Sequence, residues 1–311
     1  MIRRIAFFEA GSCSAFECLA VRRGRRVRTL FPATVAVMEH SRAGIVLFDS
    51  GLSPRLFTYA SSLADKLYRA VLPVKISFED TASARLKSMG IDASDVSVVI
   101  CSHFHADHVG GAADFPRARY VFLEDGYRQL LQGSKLARAK AGFFPELLPH
   151  DFEQRAWSLV RSHFKPHRNA SLTEFEEGVD LFGDGSLLVI DLPGHAAGHI
   201  GALVRTSSGQ QYLLAADACW LETSYRNNLS PPDWVMRLII DDRRRYLDTL
   251  AKLARLAGKN SELQIVPCHC KNTLPVLPDL QRFSNQQTEI VSIDAGALNS
   301  ESLCQHHAPN L

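Results

Sequence analysis

Apolar residues along this chain follow two rhythms. Short runs rich in Val, Ile, Phe and Tyr, bounded by Gly, Ser or Asp, predict strands: "ATVAVMEH" from Ala33, "AGIVLFDSG" from Ala43, "DVSVVICSH" from Asp95 and "ARYVFLE" from Ala118. The turn "SRAG" joins the first two. Apolar positions three to four apart predict helices instead, in "SPRLFTYASSLADKLYRAV" from Ser53 and "TASARLKSMG" from Thr81, the latter stopped at Gly90.

The texture changes between Gly126 and about His167. "YRQLLQGSKLARAKAGFFPELLP" and "DFEQRAWSLVRSHF" read as helical, with Phe152, Ala156, Leu159 and Val160 near one face and Asp151 as a cap. Strands return as "GVDLFGDG", "SLLVIDLPGH", "HIGALVRTS" and "QYLLAADA". A helix follows over "DDRRRYLDTLAKLARLAG", with Tyr246, Leu250, Leu253 and Ala257 on one face and Gly258 at its end. "LQIVPCHC" reads as the last strand, before a polar tail over about 281–311. This order predicts a layered α/β arrangement in a single domain spanning 1–311, interrupted by a helical insertion over about 126–167.

Composition narrows the class. A chain of 311 residues, 46% apolar and 22% charged, is an ordinary soluble globular protein with a substantial core. A net charge of +2 gives no nucleic-acid footprint, and "RRGRRVR" from Arg22 reads as a solvated hairpin or strand edge. No run is apolar for long enough to be a membrane span. Glu9, Gly11, Ser12, Ser14 and Glu17 break the apolar N-terminus, making it a poor signal peptide. Seven scattered cysteines favour reduced thiols and a cytoplasmic location. Cys268 and Cys270 flank His269, but a zinc knuckle needs a second such cluster, and the chain offers none.

Ligand-type residues repeatedly follow β-type runs. "VVICSHFHADH" ends in His103, His105, Asp107 and His108; "LLVIDLPGH" ends in His195, "YLLAAD" in Asp217 and "LQIVPCH" in His269. Strand ends gathered at one edge of a layered fold bring these groups together. Imidazole and carboxylate suit zinc or another first-row divalent metal. In extended backbone His103 and His105 point to the same side and can share one ion. The chain then turns, so Asp107 and His108 serve a second ion. His195 completes the first site, His269 the second, and Asp217 can bridge both. Gly194, Gly110 and Gly111 permit tight backbone turns beside them.

His-x-His-x-Asp-His after a strand, then "PGHAAGH", then "AAD", then a late lone histidine, resembles the metallo-β-lactamase superfamily over roughly Thr34 to His269. The resemblance implies an αββα four-layer sandwich, an α/β fold with two Zn2+ at one edge of the β-layers. It implies that Asp49 in "FDSG" supports the metal loop without binding metal and that His199 plays a similar supporting part. It also implies hydrolysis: the metals acidify a bridging water, and the resulting hydroxide attacks a carbonyl while Asp107 orients it and carries a proton to the leaving group.

Within that superfamily the spacing is most similar to the N-acyl-homoserine lactone lactonases, which carry helical insertions. This similarity implies a lactone or ester substrate with a hydrophobic acyl group, lined by Phe143, Phe144 and Phe152. Those lactonases place a tyrosine three residues after the bridging aspartate; here Trp220 stands there, with Tyr225 as a catalytic stand-in. The alternatives are a thioesterase or ester hydrolase of a biosynthetic pathway and a non-catalytic effector on the same fold. The expected partner is a small-molecule acyl substrate, with no nucleic acid; a homodimer is left open.

Overall fold

In a computed structural model the described residues are 1–59, 73–281 and 283. The strands among them are β1 (Ile2–Phe16), β2 (Arg28–His40), β3 (Gly44–Phe48), β4 (Val74–Lys75), β5 (Val96–Ile100), β6 (Arg119–Leu123), β7 (Ala156–Leu159), β8 (Lys165–Pro166), β9 (Glu177–Asp180), β10 (Leu187–Asp191), β11 (Ile200–Arg205), β12 (Gln211–Ala216) and β13 (Gln264–Pro267). They form a seven-stranded sheet ordered β4-β1-β2-β3-β5-β6-β7 and a six-stranded sheet ordered β13-β12-β11-β10-β9-β8.

Strand alternation sorts side chains between layers. Val189, Tyr212, Leu214 and Ala216 meet Ile5, Phe7, Met38, Phe48, Val98 and Ile100 from the other sheet in the core between the sheets. Their neighbours Leu188, Ile190, Leu213 and Ala215 face the opposite way and pack on Tyr246, Leu250, Leu253 and Leu256 of the helix Arg243–Lys259. On the far side of the first sheet, Val35, Val37, Leu47 and Val99 pack on Leu86 of the helix Ala82–Lys87 and on Val109. Both sheets are therefore apolar on both faces, as an αββα sandwich requires. The helix Arg243–Lys259 begins where Asp242 accepts from the Arg245 N–H at 3.0 Å.

One core strand goes unannounced by the sequence pattern, and the expected helical insertion and its cap are corrected. The N-terminal segment is a core strand: β1 pairs with β2 from Ile2↔His40 to Phe16↔Arg28, burying Phe7 on one face and Phe8 on the other. The expected helical insertion over 126–167 is α-helical only at Glu124–Gln132 and Lys135–Lys140. The stretch after Asp151 supplies β7, the edge of the first sheet, parallel to β6 with Tyr120↔Ala156 and Leu123↔Leu159 in register. There Trp157 and Leu159 point to the core between the sheets and Ala156 to the outer face, so sheet pairing overrides the helical spacing. Asp151 pairs with Arg155 at 2.6 Å instead of capping a long helix. Of the helix expected from Ser53, Arg55–Tyr59 is present; 60–72 lie outside the described residues, as does the tail beyond Phe283.

Candidate metal centre

Sheet topology explains why the ligand-type residues meet. β3 and β5 are parallel, so Asp49 and the segment beginning Ser102-His103 leave the first sheet at the same end. β10 and β12 both run antiparallel to β11, and β13 is parallel to β12. The segments carrying His195, Asp217 and His269 therefore leave the second sheet at a common edge. The two edges are tied together where the Ile200 N–H donates to the Ser102 carbonyl at 2.8 Å.

The backbone at these exits is unusual. Asp49 has φ 62° and Ala216 has φ 44°, left-handed conformations that cost roughly 1–3 kcal/mol in non-glycine residues and persist where the surroundings over-determine them. Gly194 has φ 125°, and a Cβ there would lie 2.1 Å from the Tyr246 backbone nitrogen, so only glycine lets the chain turn into His195 against the long helix. Gly110 and Gly111 have ordinary φ values; their lack of a side chain instead permits close approach, a Cβ on Gly111 falling 2.4 Å from the Ser50 carbonyl oxygen.

Two groups of ligand atoms result. His103, His105, His195 and Asp217 form one; His108, Asp217, Cys268 and His269 form the other; within each, one ligand atom per residue lies within 4.8 Å of the rest. Asp217 belongs to both: Oδ2 is 3.2 Å from His195 Nε2, and Oδ1 is 3.4 Å from His108 Nε2 and 3.2 Å from His269 Nε2. Asp107 joins the second group, with its oxygens 3.5 Å from His269 Nε2 and 4.0 Å from His108 Nε2. Its side chain is 21% exposed while that of His108 is fully buried, so Asp107 stands on the open side.

The residues fit a divalent metal. Among the described residues, His103 Nε2, His108 Nε2 and Asp217 Oδ1 are buried without a hydrogen-bond partner, an arrangement that costs free energy unless a cation accepts their lone pairs. Burial holds the His103 and His195 imidazoles well below their ordinary range, in the neutral form that ligates metal. At His108 and His269 burial pushes the same way but loses. The Asp49 and Asp217 carboxylates hold His108 well above its usual range, and Asp217 does the same for His269. Without a cation, protons on these two rings offset the carboxylates.

The outer contacts fix which ring nitrogens face inward. His108 Nδ1 lies 2.7 Å from Asp49 Oδ2, and His269 Nδ1 lies 2.8 Å from the Pro32 carbonyl, leaving Nε2 of each for the centre. Asp49 also accepts from the Ser102 N–H at 2.8 Å and the Ser102 hydroxyl at 2.9 Å. His199 Nε2 accepts from the Asp217 N–H at 3.1 Å. Its ring is fully buried, and burial lowers its pKa to about 3. Both residues contact candidate ligands without joining either group.

Other candidates are placed differently. Trp220 is beside the centre, its indole N–H donating to Asp217 Oδ2 at 3.1 Å and its ring 6.0 Å from that of His195, edge to face. Tyr225 is not: it is buried among Leu213, Met236 and Leu253, its hydroxyl 3.4 Å from the Ile265 carbonyl, which removes it as a catalytic stand-in. Phe143 and Phe152 are buried with Phe104, Tyr120 and Phe122 on the outer face of the first sheet, and Phe144 with Ala33, Leu52 and Ala106. These three rings, each at most 5% exposed, are packing under the histidine loop instead of a substrate wall. That stretch reaches the centre through its backbone, where the Gly142 carbonyl accepts from the Ala106 N–H at 3.1 Å. Motif reading passes over Ser102 and considers Cys268 only for a zinc knuckle; each adjoins a candidate ligand histidine in sequence.

Comparison with known proteins agrees with this geometry. The model of the metallo-beta-lactamase superfamily matches residues 28–269. The chain is 28% identical to N-acyl homoserine lactonase AttM of Azorhizobium caulinodans over 194 residues, 62% of this chain and 65% of that protein. It is 30% identical to gamma-lactamase MBL2 of Gibberella moniliformis over 137 residues, 43% of this chain and 53% of that protein. The matched region thus spans between about half and two thirds of these relatives. Among solved structures, a mutant of B. thuringiensis AiiA with N-decanoyl-L-homoserine bound at the active site superposes with a TM-score of 0.66 at 16% identity, covering 90% of this chain and 98% of that one. With a family match across most of its length, the αββα fold and a buried His/Asp cluster at the sheet edge, this chain belongs to the metallo-beta-lactamase superfamily.

Proposed function

We propose that the chain is a dinuclear metal-dependent hydrolase that opens the carbonyl of a lactone or ester bearing a hydrophobic acyl group. The observation that carries this reading is Asp217, shared by two buried ligand groups, with Asp107 on their open side. His103, His105, His195 and Asp217 would hold one cation, and Asp107, His108, Asp217 and His269 the other. The histidine-rich donor set favours zinc. A bound pair of such ions supplies an acidified water and polarises a carbonyl. The chain's own part then falls to Asp107, which accepts a hydrogen bond from the attacking water and passes its proton to the departing alkoxide.

Relatives named as homoserine lactonases and a gamma-lactamase support a substrate with a cyclic acyl bond. One feature separates this chain from the lactonase pattern. The Trp220 N–H is already engaged with Asp217 Oδ2, and Tyr225 is buried in the outer layer. Neither offers a free donor to a substrate carbonyl, and the indole forms a wall beside His195. This favours substrates bound by their apolar part over those requiring a carbonyl donor.

The test is a panel of lactones, aryl esters and acyl-thioesters on zinc-loaded protein, followed by proton release or thiol release. Turnover of lactones or esters that disappears with a chelator and returns with zinc is the expected result. A clear preference for thioesters replaces the reading with a thioesterase. Metal-replete protein inert towards the whole panel makes the chain a non-catalytic effector.

A further inference from the structure

We propose that Cys268 supplies a thiolate ligand to the second metal position, beside His108, Asp217 and His269; the proposal rests on the metal reading above. All four residues are buried, and their ligand atoms lie within 4.8 Å of one another. The group already contains two buried atoms without a hydrogen-bond partner, His108 Nε2 and Asp217 Oδ1. Cys268 is held by its backbone: its N–H donates to the Ala216 carbonyl at 3.0 Å, and its carbonyl accepts from the Thr34 hydroxyl. Its sulfur lies 3.7 Å from the Thr34 carbonyl, a weak contact that a metal bond readily replaces.

Neighbouring cysteines do not share this position. Cys270 Sγ accepts from the Glu222 N–H at 3.3 Å and belongs to neither ligand group. Cys13 is half-buried on β1; burial pushes its thiol up to about 12, with Asp107 and Asp217 adding to the rise against His269. Cys13 is thus near the centre but outside both ligand groups.

Coordination transfers the thiol proton to solvent and forms one sulfur–metal bond; nothing is oxidised or reduced. A thiolate is a soft, strongly donating ligand, so its presence biases the second position towards zinc and against hard cations such as magnesium or manganese. It also adds a negative charge beside the carboxylates, which tightens binding.

X-ray absorption at the zinc edge of the full chain loaded with two equivalents tests this without a substitution. The expected spectrum contains a sulfur scatterer at about 2.3 Å. The sulfur shell should persist in Cys13→Ser and vanish in Cys268→Ser, whose weaker zinc should bind at least tenfold less tightly. Loading with cobalt should give a thiolate charge-transfer band in the parent and in Cys13→Ser but not in Cys268→Ser. Two bound zincs with only nitrogen and oxygen scatterers in the parent overturn the proposal and leave the hydrolase reading intact, as does a sulfur shell that survives Cys268→Ser. A chain that retains no zinc overturns the metal reading itself. Should Cys268→Ser not fold by circular dichroism, the parent and Cys13→Ser spectra decide.

Discussion

Replacing Asp49 by Asn isolates the contribution of a residue that would touch no metal. Asn tolerates the left-handed backbone at φ 62°, so the turn survives. Its carbonyl can still accept from the Ser102 N–H, now at 2.8 Å. The other carboxylate oxygen becomes an NH2 facing His108 Nδ1 across 2.7 Å and the Ser102 hydroxyl across 2.9 Å. Two donors cannot face each other, so the His108 proton moves from Nδ1 to Nε2, the nitrogen turned towards Asp217. A protonated Nε2 cannot ligate. Loss of such an orienting partner costs on the order of 10–100-fold in metal affinity, about 1.4–2.7 kcal/mol. Stability of the metal-free chain should fall by about 1–3 kcal/mol, the cost of leaving buried polar groups mispaired. Competition with a chromophoric chelator measures the two affinities separately, and circular dichroism checks the fold. The affinity lost should be that of the second position. Folded Asp49→Asn that binds both metals within twofold of the parent refutes the tautomer argument.

The remaining expectations concern residues with distinct duties. Asp107→Asn should keep its fold, hold the second cation less tightly and, at saturating zinc, lose on the order of a hundredfold in kcat on the best substrate of the panel; near-parental turnover of the folded, metal-replete variant would remove it as the proton carrier. Trp220→Phe retains the ring beside His195 and deletes the hydrogen bond to Asp217, which should cost about 1.5 kcal/mol, roughly tenfold in metal retention by chelator competition. Phe152→Ala should destabilise the chain by about 3–5 kcal/mol in denaturant unfolding, as expected of a buried aromatic. The ratio of kcat/KM for short and long acyl substrates should stay constant in it; a changed ratio in a folded, metal-replete variant would return this ring to the substrate wall.

The centre was legible in the sequence because its ligand-type residues sit at strand ends, where a period-two apolar run stops and polar residues follow. His103, His105, His195, Asp217 and His269 could be read that way, and the topology delivers them to one edge. Other parts were hidden for physical reasons. β1 carries charged residues at its start and a register break between Glu9 and Ser12, so its alternation is interrupted although both faces are buried. β7 is four residues long and gains its identity from β6 beside it, which no local pattern encodes. Phe143, Phe144 and Phe152 look like a cluster free for a ligand in the sequence; in three dimensions Phe104, Tyr120 and Ala106 already occupy them. Tyr225 and Trp220 are close in sequence and pack on the same cluster, yet the indole N–H meets Asp217 while the Tyr225 hydroxyl meets the Ile265 carbonyl.

The account turns on two metals acting together at Asp217. Titrating the chelator-treated, folded protein with zinc while following lactone or ester hydrolysis joins stoichiometry to activity in a single curve. Turnover absent at zero metal and rising to a plateau at two equivalents per chain is the predicted result. Full turnover without metal, or a plateau reached at one equivalent, would contradict it.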